Sequence, residues 1–275
     1  MQAITELLSG ACGRPVDVDF LIKESPYLKH EGLRDWLGYL MMRRVGEWEM
    51  ANSVEFAGMH VRMMRTAFDH DRMNALFAAE RATNPKLAAW LDARHVSTYT
   101  VKDLAAYPEG SFGAMFHRHV VRLGLNVDLG FDLPTDTDFD YWILRGLQFH
   151  DLEHLLGGGG FDPVGEIMPA VMRHASLMRH LSPELAGALN IPTFFLSQSQ
   201  LSSCMLYTPA VYPVLFERFN QAWRVGWTSG PYFMGRFEDY FHLPLAEARR
   251  ALEMNNVDEL DTTAMGEVML GRLVA

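Results

Sequence analysis

Two cysteines, Cys12 and Cys204, are all that the 275 residues contain. They cannot form a disulfide framework, so a reducing, cytoplasmic compartment is the expected setting. The chain also lacks any run of lysine and arginine, and its net charge is −10. Phosphate backbones are bound by clustered cations, so nucleic acid is excluded as the main partner. No apolar stretch of about 18 residues runs free of polar interruption. The nearest approach, residues 191–216, is broken by Ser197, Gln198, Ser199, Gln200, Ser202 and Ser203, so no membrane span is expected. The N-terminus has no cationic stretch leading into an apolar one, and Glu6, Asp17 and Asp19 speak against an organelle-targeting peptide. Alternation of apolar and polar residues, the mark of a half-buried strand, is missing as well.

What is present is helical periodicity almost throughout. Hydrophobic residues make up 49 % of the chain and charged residues 21 %, the composition of a folded protein with a substantial core. The expected fold is all-α, a single domain over residues 1–275 built as a bundle of roughly ten helices. Seventeen methionines and seventeen phenylalanines suit a large adaptable helical core, or alternatively a greasy pocket or membrane-facing surface. Residues 33–66 read as one long helical pattern that Gly46 and Gly58 could interrupt. Residues 71–82 form the next helix, and Asn84-Pro85 opens another. Residues 107–110 are a turn, after which Ser111 caps a helix that Gly124 stops. Residues 126–138 form a loop, and Asp138 is expected to cap a helix over residues 139–156. Asp162-Pro163 is expected to start a return helix that Pro169 kinks or breaks. Pro183, Pro192, Pro209 and Pro213 punctuate further helical segments. Residues 221–240 and 245–254 read as helical, and residues 265–274 as a short amphipathic piece.

The chemistry concentrates at the end of the 139–156 helix. His150, Asp151 and His154 are followed, after eleven residues that include Gly157 to Gly160, by Glu166. At about 100° per residue, His150 and His154 share one helical face and Asp151 joins its edge. Ile143 and Leu147 continue that face, which therefore points inward. Gly157 can end the helix in a left-handed conformation, and the chain then reverses. Glu166 comes level with His154 across a pair of antiparallel helices. Two imidazoles with up to two carboxylates suit Zn²⁺ or Fe²⁺, with Mn²⁺ or Co²⁺ as alternatives, since no thiolate selects among them. Satisfied core histidines are the bland alternative, which two histidines at helical spacing with nearby carboxylates outweigh. Glu153 lies to the other side and reads as a salt-bridge partner. Ala170 and His174 come after Glu166 at four-residue steps, so Leu147, Ala170 and His174 are candidate pocket residues. His117 and His119 point apart on another helix and receive no role.

His-Asp-x-x-His followed after eleven residues by Glu is similar to the signature of the coenzyme Q biosynthesis protein 4 family of ubiquinone synthesis. Trp223-Arg224-Val225-Gly226, then Glu238, Pro244-Leu245 and Arg249, resemble that family's C-terminal pattern. Residues 107–113 resemble its proline- and glycine-containing turn. The resemblance covers residues 85–255, with N-terminal helices over 1–84 and a short tail over 256–275 outside it. It implies a mostly helical fold and a divalent metal at His150, Asp151, His154 and Glu166, which would also be the catalytic residues. It further implies a prenylated aromatic ligand, homo-oligomerisation, and peripheral association with the inner face of a membrane and with other quinone-biosynthesis proteins. The implied chemistry is oxidative removal of the C1 carboxyl from a 4-hydroxybenzoate-derived precursor, with hydroxylation at that carbon. Pro169 and the His-, Met- and Leu-rich run after Glu166 depart from the family, which more often continues there with basic and aromatic residues. The polar stretch from Gln198 to Ser203 also lacks a counterpart. A related metalloenzyme acting on another aromatic or lipid is therefore an alternative, as is a non-catalytic prenyl-lipid-binding scaffold. A phosphohydrolase would need a phosphate cradle, and a ferritin-like di-iron site would need two Glu-x-x-His helices; the chain offers neither.

Overall fold

The computed structural model describes residues 27–44, 54–125, 127 and 133–273, and the side chains of 54–60 lie outside the description. The described residues form twelve α-helices: α1 Glu31–Met42, α2 Val54–Ala67, α3 His70–Thr83, α4 Pro85–Ala93, α5 Val101–Leu104, α6 Phe112–Leu123, α7 Asp138–Gly157, α8 Ile167–His180, α9 Pro183–Tyr207, α10 Tyr212–Thr228, α11 Leu245–Ala251 and α12 Thr263–Met269. Two 3₁₀ turns, Tyr232–Met234 and Phe237–Tyr240, lie between α10 and α11. The expected all-α class is what the structure shows. Inside the expected 33–66 helix, Gly46 and its surroundings at 45–53 lie outside the described residues. Before that gap α1 has already ended, with Arg43 in an extended conformation.

Several local signals act as expected. Asn84 accepts from the Leu87 N–H to cap α4, Ser111 from the Ala114 N–H to cap α6, and Gly124 ends α6 at φ +64°. Other elements correct the expectations. The cap of α7 is Thr137, whose hydroxyl accepts from the Asp140 N–H at 3.1 Å, while Asp138 is the first helical residue. Asp138 instead pairs with Arg94 at 2.6 Å and Arg81 at 3.3 Å, where its charge also suits the positive end of the helix. Pro192 does not divide α9, which runs 25 residues through it. The 221–240 helix stops at Thr228, where Gly230-Pro231 turns the chain into the 3₁₀ segments.

The return helix begins later than Asp162-Pro163 suggests. The Asp162 carboxylate accepts from the Val164 and Gly165 N–H groups at 2.9 and 3.1 Å, closing a local turn. Helix α8 starts only at Ile167, with Glu166 at its N-cap. Pro169 consequently sits in the first turn, where its missing N–H would have no helical partner. It neither kinks nor breaks α8.

The core is centred on α7 and α8. The buried face of α7 includes Phe139, Ile143, Phe149, Leu152 and Leu156, and that of α8 includes Ile167, Met168, Val171 and Met172. Helix α8 packs against α7, α9 and α10 together. Its approach to α10 is so close that a Cβ on Gly226 would land on the Met172 carbonyl. Helix α1 lies across α9 and brings a small cluster of its own, Leu33, Trp36 and Leu40 against Leu196. After α10 the chain wraps back, stacking Phe237 on Phe149 with centroids 4.3 Å apart. Among the described residues no helix is long and apolar enough to cross a membrane. Gly226→Val should force α8 and α10 apart at an overpacking cost of about 1–3 kcal/mol. A thermal melt should show Tm lower by about 3–10 °C; an unchanged Tm would contradict this close approach.

Candidate metal centre

Helix α7 carries His150 and His154 one turn apart, with their rings 5.1 Å apart and nearly perpendicular. The turn after it delivers Glu166 between them. Glu166 Oε1 lies 2.7 Å from His150 Nε2, and Oε2 lies 3.1 Å from His154 Nε2. One ligand atom from each of the three residues falls within 4.8 Å of the others, so this group could hold a metal ion. Two nitrogens and a carboxylate oxygen are a donor set of intermediate softness, fitting zinc or a first-row redox ion. His154 is buried, whereas His150 keeps 34 % of its side chain exposed, which leaves the site open on that side.

The ring of His154 is held from behind. Its Nδ1 lies 2.9 Å from the Gly160 carbonyl. A carbonyl only accepts, so Nδ1 carries a hydrogen and Nε2 faces Glu166. This depends on the glycine turn. Gly158, not Gly157, is the left-handed residue at φ +73°, and the Gly159 N–H reaches the His154 carbonyl at 2.8 Å. The remaining carbonyls at the end of α7 are met by arginines from distant elements. Arg249 donates to Leu155 and Leu156 at 2.6 and 3.1 Å, and Arg218 to Gly158 at 2.5 Å. Arg218, completely buried, also donates to Gln221, and Thr262 donates to Asp162 at 2.5 Å.

The other residues singled out in the sequence take different places around this group. Asp151 is not in the three-residue group; burial raises its carboxyl against the opposing pull of His150 and His154. Glu153 is fully buried and pairs with Arg173, whose Nε lies 3.1 Å from it and whose guanidinium also donates to the Gly146 carbonyl at 3.0 Å. It is thus the salt-bridge partner expected. Leu147 is half-buried and Ala170 is buried on the face below Glu166. His174 has its ring 5.9 Å from Phe194 on α9 and is not in the three-residue group. Burial first, and then Arg173, hold its imidazole down at about 3.

Further neighbours are Phe161, inside the eleven-residue gap, and residues of segments with no spacing relation to the motif. The Phe161 ring stacks on His154 at 4.6 Å, and His119 stacks on the far side of Phe161 at 4.3 Å. Tyr99 packs edge-on against Phe241, and burial, Glu238 and Asp151 together hold its phenol high. Its position comes from an extended segment laid along α7: Tyr141 donates to the His95 carbonyl at 3.1 Å, and Gln148 brackets both backbone groups of Ser97. Arg145 ties the same segment to Glu238 at 3.2 Å while lying over the Phe149 ring. The sequence signals these residues only as aromatics and charges.

Burial lowers the His150 pKa, but the charge and hydrogen bond of Glu166 more than offset it and hold the imidazole up at about 9. Burial pulls Glu166 upward, yet His150 and His154 keep it well below the usual carboxylate range. In the metal-free protein the raised His150 therefore contributes stability fully present below the ordinary histidine range, near pH 6.5, and lost as pH rises through about 9. A metal must displace that proton. Its apparent affinity should climb about tenfold per pH unit between about pH 7 and 8.5. Competition titrations with Zn²⁺ across that range check this; a pH-independent affinity would contradict it.

By sequence alone the chain matches no protein-family model and no curated protein. Its fold, however, is similar to that of a solved structure, a proposed ubiquinone biosynthesis protein of Nostoc punctiforme. The two share 19 % identity with a TM-score of 0.59 over 82 % of this chain and 97 % of that one. The likeness establishes a common helical fold.

Proposed function

We propose that this chain is a divalent-metal-dependent enzyme of ubiquinone biosynthesis that removes the C1 carboxyl of a prenylated 4-hydroxybenzoate-derived precursor and leaves a hydroxyl there. The observation that carries the reading is the convergence of His150, His154 and Glu166. The motif resemblance and the fold shared with a proposed ubiquinone biosynthesis protein support it.

His150, His154 and Glu166 would hold the metal, and Asp151 stands beside them to complete the set or to face the substrate. The bound ion would supply Lewis acidity at the substrate's carboxylate and adjacent oxygen, stabilising the charge left as CO₂ departs. The chain's own part is orientation. The Gly160 carbonyl fixes the tautomer of His154, and Glu166 spans both imidazoles. The exposed edge of His150 marks the side from which a substrate would enter. The net change at C1 converts carboxylate and water into hydroxyl and CO₂ with loss of two electrons and one proton. Dioxygen is an acceptor of the class this requires, leaving as hydrogen peroxide.

A second reading is a prenyl-lipid-binding scaffold of a quinone-biosynthesis complex, in which the metal only ties α7 to α8. The observation favouring it is apolar surface: Phe216, Trp223 and Trp227 are exposed along α10, with Phe194 and Met178 exposed on α9 and α8. Such a surface suits a membrane face, a partner protein or a second copy of the chain. The two readings separate on Glu166→Ala. The enzyme reading expects CO₂ release from the prenylated acid to fall at least about 100-fold with the helical content unchanged. The scaffold reading expects lower thermal stability without any effect on turnover.

A further inference from the structure

The geometry points to His119 and Phe161 as positioning residues of the metal centre, acting on His154 through a stack of three rings. The inference rests on the metal-binding reading of the site and deepens it. His154, Phe161 and His119 lie nearly parallel, with interplanar angles of 22° and 23° at successive spacings of 4.6 and 4.3 Å. Such separations are those of offset aromatic stacking, worth about 0.5–1.5 kcal/mol per pair beyond the area buried.

The stack supplies a constraint that the hydrogen bond does not. The Gly160 carbonyl receives Nδ1 and fixes which edge of the His154 ring faces Glu166. A single hydrogen bond tolerates tilting of the ring, and tilting swings Nε2 away from Glu166. The Phe161 face opposes that tilt. Phe161 itself comes after the run Gly157 to Gly160 and is only partly buried. Its outer face needs a wall, and His119 on α6 is that wall.

Helix α6 can serve because it is anchored independently of the site. Its Phe112 and Phe116 are buried against Phe241 at 5.5 and 6.3 Å, and the Phe112 N–H donates to the Leu243 carbonyl at 2.7 Å. The stack thus connects a rigid helix to a ligand carried beside a glycine turn. Burial, followed by Arg122, His154 and Arg118, holds the His119 imidazole down at about 4. It is therefore neutral near pH 7 and adds no repulsion towards a cation. A phenyl ring should replace it in this role, whereas a methyl group should not.

The test compares wild type, His119→Ala, His119→Phe and Phe161→Leu as full chains, using Co²⁺ as the probe. Affinity is read by titration, and ligand geometry by the visible absorption of the bound ion. Supporting residues behind a metal ligand typically contribute 10–100-fold in affinity. His119→Ala and Phe161→Leu should weaken Co²⁺ binding at least about tenfold and alter the spectrum, while His119→Phe should stay within about threefold of wild type. Melting of the metal-free variants should fall by no more than about 10 °C, in line with the loss of one or two ring pairs. Wild-type affinity and spectrum in His119→Ala would overturn the inference. So would equal losses in His119→Phe and His119→Ala, which would assign the effect to the imidazole's polar atoms. Failure of wild type itself to bind Co²⁺ would overturn the metal reading, a result distinct from either of these.

Discussion

Glu166 can bridge His150 and His154 only because the last turn of α7 is held at its carbonyl end by side chains from elsewhere in the chain. A helix terminus leaves about four carbonyls without partners. Here the glycine turn satisfies some, and Arg218 and Arg249 satisfy others. Both arginines place positive charge at the negative end of the helix, where it is favourable. The turn is fastened on its other side by Asp162, which accepts from Val164, Gly165 and Thr262. The site is therefore a property of the whole C-terminal half. Residues 218, 249 and 262 fix a turn that residues 150, 154 and 166 use.

The same helix pair holds a second carboxylate for a different purpose. Glu153 is sealed against Arg173 between α7 and α8. An unpaired charge at that depth would cost several kcal/mol, so the pair fixes how α8 sits on α7. Glu166, by contrast, has imidazoles as its only ion-pair partners among the described residues. An arginine beside Glu166 would occupy its oxygens permanently. Histidines can give up their protons and leave the carboxylate to a metal. Separate charge pairs thus keep the structural work of Glu153 apart from the chemical work available to Glu166.

How much of the fold and the site could be read from the chain depended on sequence distance. His150 and His154 are linked by one helical turn and Glu166 by one reversal, so their meeting could be inferred from period and glycine content. Asn84, Ser111 and Gly124 likewise act within three or four residues of themselves. Expectations failed where a distant partner decided the outcome. Asp138 resembles a cap, but Arg81 and Arg94 take its carboxylate and leave the cap to Thr137. Pro169 resembles a breaker, but the turn closed by Asp162 delays α8 until the proline falls in its first turn. His119 meets the Phe161 ring, 42 positions away, a contact that no local spacing announces. His174 comes after Glu166 at four-residue steps, yet its ring neighbours Phe194 of α9 and is not in the three-residue group. Asp151 has the right neighbours in sequence, but its carboxylate stands outside the group that Glu166 gathers.

Everything chemical here depends on whether the two imidazoles and the carboxylate gathered at the glycine turn bind a divalent ion. Fold, resemblance and ring stacking give that claim its setting, and the decarboxylation reading stands on it. Native mass spectrometry of the full chain, purified without added metal, tests it most directly. One divalent ion per chain is predicted in the wild type and none in His154→Ala. A metal-free wild-type chain, under conditions that keep reference zinc and iron proteins loaded, would contradict it.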